Sequence, residues 1–203
     1  DHRFDDRIGD HSVAAEAQAR TTRDAFLARA RSIETPESPA DQQTLGLFIF
    51  SLEQSAAAQA CETAPGLLTA LTSQLRKVRD MPEAHPVSTP QDGRNLLQRY
   101  RAIPGAIEAD IARLQAGLAS GRVANATSVG KVIDQLNAQL AQPASAWQLH
   151  APIAADHPDW SQEERVRYQA GMTRALDDIV AAFQTYTDVL QAEILPVADQ
   201  RAA

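Results

Sequence analysis

Residues 88–140 read STPQDGRNLLQRYRAIPGAIEADIARLQAGLASGRVANATSVGKVIDQLNAQL, and their reading decides the fold. Thr89 can cap a helix, Pro90 suits its first position, and Asp92 meets the free amide N–H groups of the first turn. Leu96, Leu97, Tyr100 and Ile103 follow at helical spacing. Pro104-Gly105 predicts an end or a kink. Ile107, Ile111, Leu114 and Leu118 resume the stripe, and Gly121 is a natural left-handed cap. Thr127 or Ser128 is expected to start another helix, with Val129, Val132, Ile133, Leu136 and Leu140 inward and Pro143 beyond its end.

Downstream, residues 143–160 (PASAWQLHAPIAADHPDW) form the longest irregular stretch. Ser161-Gln162-Glu163-Glu164 is a capping box. A final helix is expected from there to Leu195, where Pro196 stops it. Its stripe is Tyr168, Met172, Leu176, Ile179, Phe183, Tyr186, Leu190 and Ile194. So long a helix either spans the whole body or packs against something outside this chain.

Upstream, the first ten residues are mostly charged and read as a surface arm. Ser12 opens a helix with Val13, Ala17, Phe26, Ala30 and Ile33 along one stripe. It ends at Thr35-Pro36-Glu37-Ser38-Pro39. A second helix starts near Pro39 to Asp41. Its LGLFIF run (residues 45–50) is apolar nearly all round, which predicts deep burial. Pro65-Gly66 breaks that pattern, Leu67 to Val78 reads as a short helix or packed loop, and residues 80–90 as a connection. No strand pattern or fixed-period repeat is present. The fold class is all-α, an irregular bundle of six to seven helices with a long C-terminal helix. Residues 1–79 read as a helical lead-in and 80–203 as a helical scaffold, without a clear linker between them.

Composition agrees. The chain has 203 residues and 44% hydrophobic residues but only 5% aromatics, a mix that favours helix over an aromatic-rich sandwich. A net charge of −7 argues against a nucleic-acid partner, since phosphate contacts need a basic face. One Cys excludes an internal disulfide and a Cys-based zinc cluster. The absence of an 18-residue apolar run argues against a membrane span. The start DHRFDDRIGD lacks the basic and apolar parts of a signal peptide. The expectation is a soluble protein, cytoplasmic or secreted after removal of a leader.

Chemistry-bearing residues are sparse. His2, His11, His85, His150 and His157 belong to no His-Glu-x-x-His motif. His150, Asp156, His157 and Asp159 cluster in one loop, but no helix fixes their geometry. They read as turn and cap groups rather than metal ligands. Asp5, Asp6, Asp10 and His11 read as a solvated arm. Cys61 sits at an apolar helix end without a basic neighbour, which predicts an inert thiol. Asn125-Ala126-Thr127 matches a glycosylation sequon, although Thr127 is equally a helix cap. Arg99, Tyr100 and Arg101 are candidate substrate contacts, set against a default of two exposed arginines flanking a buried Tyr. No catalytic or metal residue is assigned.

The central segment resembles the bacterial family catalogued as domain of unknown function 885. That family carries a "Thr-x-x-Asp … Leu-x-Arg-Leu-x-Ala-Ile-Pro" helix, matched by Thr89, Asp92, Leu97, Arg99, Tyr100, Ala102, Ile103 and Pro104. Its "Ile-x-x-Leu-x-x-Gly-x-x-x-Gly" follows at Ile111, Leu114, Gly117 and Gly121. Its "Val-x-x-Val-Ile-x-Gln-Leu" follows at Val129, Val132, Ile133, Gln135 and Leu136. Pro152 and Leu195-Pro196-Val197-Ala198 extend the match, which covers roughly residues 80 to 200. Tyr100 stands where Leu is usual, a change of packing.

The resemblance implies half of a larger fold, similar to all-helical zinc metallopeptidases much longer than this chain. Zinc and its ligands are implied in a C-terminal half, in a variant His-Glu…Pro-Gly-His motif and a later Glu-Gly-Trp segment, none of which occurs here. On that reading Pro104 turns one helix into the next, and the long last helix is buried against the missing half. The partner would be that catalytic half or a second chain, and the substrate a peptide or small amide. The alternatives are a stand-alone helical binding or scaffold protein without catalytic activity, and the same fold with non-peptidase chemistry.

Overall fold

A computed structural model describes residues 4–10, 12–60, 68 and 74–198. The helices are α1 (Val13–Arg31), α2 (Pro39–Ala60), α3 (Gln74–Arg79), α4 (Met81–Ala84), α5 (Pro90–Ala119), α6 (Ala126–Leu140), α7 (Ala151–Ala154) and α8 (Gln162–Val189). A π turn (Leu190–Ile194) and a 3-10 turn (Leu195–Val197) prolong α8. The fold is all-α, as the apolar periodicities predict, with no strand among the described residues. His11, Cys61 and half of the segment read as a third helix lie outside them; in its described part α3 begins at Gln74.

Local chemistry sets the helix ends. Thr89 Oγ1 accepts from the Asp92 amide while the Asp92 carboxylate accepts from Thr89 N at 2.8 Å, closing a capping box on α5. Ser161 and Glu164 do the same for α8. The Thr89 amide, above all, holds the Asp92 carboxyl below the usual carboxylate range. The Ser161 hydroxyl does so for Glu164. At the far end of α5, Gly121 takes φ +72°. Arg122 N then donates to Gly117 O and Gly121 N to Leu118 O, a Schellman closure that a side chain at Gly121 would strain. The cap of α6 is Asn125, whose Oδ1 accepts from Ser128 N, and not Thr127 or Ser128. The cap thus sits two residues before Thr127, where the Asn125 amide oxygen meets a free N–H of the first turn.

Pro104 does not end a helix. α5 runs through it as one element of 30 residues. Proline removes the hydrogen bond its own N–H would make and crowds the carbonyl four residues before it, a cost of about 3 kcal/mol. Ile103 and Ile107, both fully buried on either side, favour continuing the stripe by roughly 1.5–3 kcal/mol each.

The core is the seam between α5 and α8. Leu96, Tyr100, Ile103, Ile107 and Leu114 face Tyr168, Met172, Leu176, Ile179, Phe183, Tyr186, Leu190 and Ile194. All eight residues expected on the last stripe are buried. Gly93 lies against Tyr168, Leu97 against Gly171, Asp110 against Tyr186, and Gln115 against Glu193. The numbers rise together, so α5 and α8 run parallel. The apolar stripe of the last helix is therefore buried within this chain. α6 and the segment to Trp160 carry the chain back between them, adding Val129, Val132, Ile133, Leu136, Trp147 and Leu149 to the core.

One polar network crosses this seam. Asp110, 5% exposed, accepts from Tyr186 Oη at 3.1 Å and pairs with Arg113, which also reaches Glu16 of α1 at 3.2 Å. Burial and the Asp110 charge drive the Tyr186 phenol well above its ordinary pKa.

α1 and α2 depart from expectation. They pack on each other and touch other elements only marginally. Val13, Phe26 and Ile33 are exposed, leaving Ala30 as the buried residue of the α1 stripe. In the LGLFIF run of α2, Leu47 is 61%, Phe48 46% and Phe50 58% exposed. An all-round apolar helix has no single face to bury, and α1 covers only one side.

Replacing Phe183 by Ala is expected to cost about 3–5 kcal/mol, and Phe48 by Ser less than about 0.5, in urea denaturation of the two variants. Arg113→Ala strands the Asp110 carboxylate and is expected to cost about 3–5 kcal/mol in the same assay. Gly93→Ala would put a Cβ 2.5 Å from the Trp160 ring. A loss of about 1–3 kcal/mol is expected. Both capping carboxylates have depressed pKa values, so the caps hold at neutral pH and fail as pH falls through and below the carboxylate range. Amide exchange in the first turns of α5 and α8 is expected to quicken there before the α5–α8 core opens.

Candidate functional site

The described surface has a cleft of ≈ 290 Å³ between residues 82–87 and 148–157. Pro82 follows the start of α4, Pro152 sits in the first turn of α7, and Pro86 stiffens the connection to α5. The prolines, with Val87, Ala151 and Ala155, make an apolar lining, while Glu83, Gln148, His85 and His157 supply the polar groups. Across the rim, Gln148 Nε2 donates to Glu83 Oε1. Two 3-10 turns, Ala144–Ala146 and Gln148–His150, shape the far wall, which the Tyr100 phenol ties to α5 through Leu149 O at 3.0 Å.

Both histidines of the cleft have structural surroundings. His85 is 6% exposed. Its Nδ1 lies 3.0 Å from Arg99 Nη1 and its Nε2 3.3 Å from the Asp92 carbonyl. A guanidinium only donates and a carbonyl only accepts, so the proton sits on Nε2 and the imidazole is neutral. Neither nitrogen is spare for a metal or a substrate proton. His157 stacks on Trp160 at 4.1 Å between ring centres and meets the edge of Tyr168 at 5.6 Å. Its Nε2 and the Tyr168 hydroxyl are buried without a hydrogen-bond partner. Burial pushes Tyr168 up to about 12. Arg165 Nη1 gathers the carbonyls of His157, Pro158 and Trp160, at 3.3, 3.4 and 2.7 Å, and so fixes the loop.

Arg99, Tyr100 and Arg101 are not brought together. Tyr100 is fully buried, with its phenol raised above its ordinary pKa by desolvation. Arg99 Nε donates to Arg7 O at 3.1 Å while its Nη1 reaches His85. Arg101 is exposed elsewhere on the helix. Nor do His150, Asp156, His157 and Asp159 converge: among the described residues no group of three His, Cys, Asp or Glu could hold a metal ion. The described residues thus offer no site for zinc, which the resemblance places in a C-terminal half, and no metal-assisted step is derived from them. Arg165 and His85 were not singled out from the sequence. Their roles depend on carbonyls and side chains brought close only by folding. The cleft lining joins an apolar strip to Glu83, Gln148, His85 and His157 and includes no hydroxyl or thiol side chain.

No described helix is long and apolar enough to cross a membrane. No curated protein matches the chain. A family description, bacterial protein of unknown function DUF885, matches residues 1–203, the whole sequence. Matched over its full length, and carrying the Thr89–Pro104 helix and the Gly117–Gly121 closure as ordered elements, the chain belongs to the DUF885 family.

Proposed function

We propose that this chain is the N-terminal, cleft-forming helical half of a zinc-metallopeptidase-like hydrolase whose metal is carried by a C-terminal half or second polypeptide. Membership of the family supports the reading only as far as the resemblance reaches. The observation that carries it is α2. Leu47, Phe48 and Phe50 stand in solvent on a helix with few charges, whereas α5, α6 and α8 bury their stripes. Contiguous exposed apolar surface of this kind marks an interaction site. A helical partner laid on α1 and α2 would cover it. The two halves together would form the wall of a cleft for a peptide or small amide, with water excluded around the partner's metal.

The closed α5–α6–α8 core favours a second reading, a stand-alone binding or scaffold protein. Such a body needs no partner to fold.

Co-expression with a polypeptide bearing the expected His-Glu and Glu-Gly-Trp segments separates the two. The hydrolase reading expects a 1:1 complex by native mass spectrometry, stoichiometric zinc in the complex and chelator-sensitive amide hydrolysis. It also expects at least tenfold weaker assembly for Phe48→Ser with Phe50→Ser. The chain alone should be inactive. No complex, or tight zinc binding by the 203 residues alone, would sink the reading.

A further inference from the structure

We propose that His85 and Arg99 form a proton-operated latch on the N-terminal arm. The Arg99 guanidinium is shared. Nη1 donates to His85 Nδ1 at 3.0 Å, while Nε donates to the backbone oxygen of Arg7 at 3.1 Å. One side chain of α5 thus holds the α4–α5 connection and the arm that leads into α1. Ile8, next to Arg7, packs on the core. Ile8, Gly9 and Asp10 border a second hollow whose other wall is the small-residue strip Ala102, Gly105, Ala106 and Ala109 of α5.

The bond to His85 exists only while Nδ1 has a free lone pair. Nε2 already carries the proton given to the Asp92 carbonyl, so a second proton must go to Nδ1. There it turns an acceptor into a donor and sets an imidazolium against a guanidinium at hydrogen-bond distance. The other ionisable groups around His85 decide which cation leaves. Asp92 on α5 lies within electrostatic reach, and Glu83 on the neighbouring turn and His157 across the cleft share its wall. Neither carboxylate would repel a charged imidazole. His85 is also walled in, whereas Arg99 is long and only half-buried. Arg99 therefore swings out, and its bond to Arg7 goes with it. The arm loosens and the strip on α5 is uncovered once Nδ1 takes that proton.

The latch concerns this chain alone and stands or falls apart from any catalytic partner. Hydrogen–deuterium exchange on the 203-residue chain, corrected for intrinsic rates, reads it directly. Amides of residues 4–10 should exchange about tenfold faster at pH 5.5 than at pH 8. His85→Gln, which cannot take a proton, should abolish that difference. Arg99→Ala should leave the arm fast at both pH values. A flat wild-type profile, or an equal rise in His85→Gln, would overturn the proposal. Nitrogen NMR of wild-type His85 at pH 8 serves even where a variant fails to fold. The Nε2–H tautomer supports the latch, and an Nδ1–H tautomer refutes it.

Discussion

Two long helices side by side, pointing the same way, are the constraint on which the rest of the structure depends. Parallel neighbours cannot be joined by a short turn. The chain must return the length of the body between them, about 45 Å for a helix of 30 residues. α6, with 15 residues, covers about half of that, and residues 141–161 cover the remainder as short turns studded with proline. The irregular stretch is therefore a required return path. Its buried members, Trp147, Leu149, Ile153 and Trp160, anchor it to the helices it passes. The cleft with His85 and His157 lies where this return path meets the entry to α5.

Arginines secure what apolar packing leaves loose. Arg113 joins α1 to α5, Arg99 joins the arm to α5, and Arg165 gathers the loop before α8. Each bridges segments far apart in sequence or holds an irregular one. Each is partly buried, so its bonds are stronger than those of solvent-exposed pairs such as Arg167–Glu163. Guanidinium groups suit this task because one side chain can satisfy several carbonyls or carboxylates at once.

Much of the fold is legible in the residues. The stripes of α5, α6 and α8 are periodic, and the two capping boxes mark helix starts, because both signals are local. The failures share a cause. LGLFIF says that a helix is apolar, not what lies beside it, and α1 alone lies there. Pro104 breaks a helix by local rules, but buried isoleucines on both sides prevail. Asn125 outcompetes Thr127 because cap geometry depends on where the chain enters. At the candidate site almost nothing was legible. The neutral state of His85 follows from Arg99 and the Asp92 carbonyl, which only the folded backbone brings to its ring. The three consecutive candidates Arg99, Tyr100 and Arg101 were adjacent in sequence but point to different surroundings on the helix.

The Asp110–Tyr186 bond gives the paired helices a single seating. A slip of one turn, about 5.4 Å, would carry the carboxylate past the phenol and press it against hydrocarbon. Greasy surfaces glide over one another at little cost, but a charged tooth engages at one notch. The register of α5 on α8 is consequently fixed by this one polar contact as well as by the fit of the apolar side chains around it.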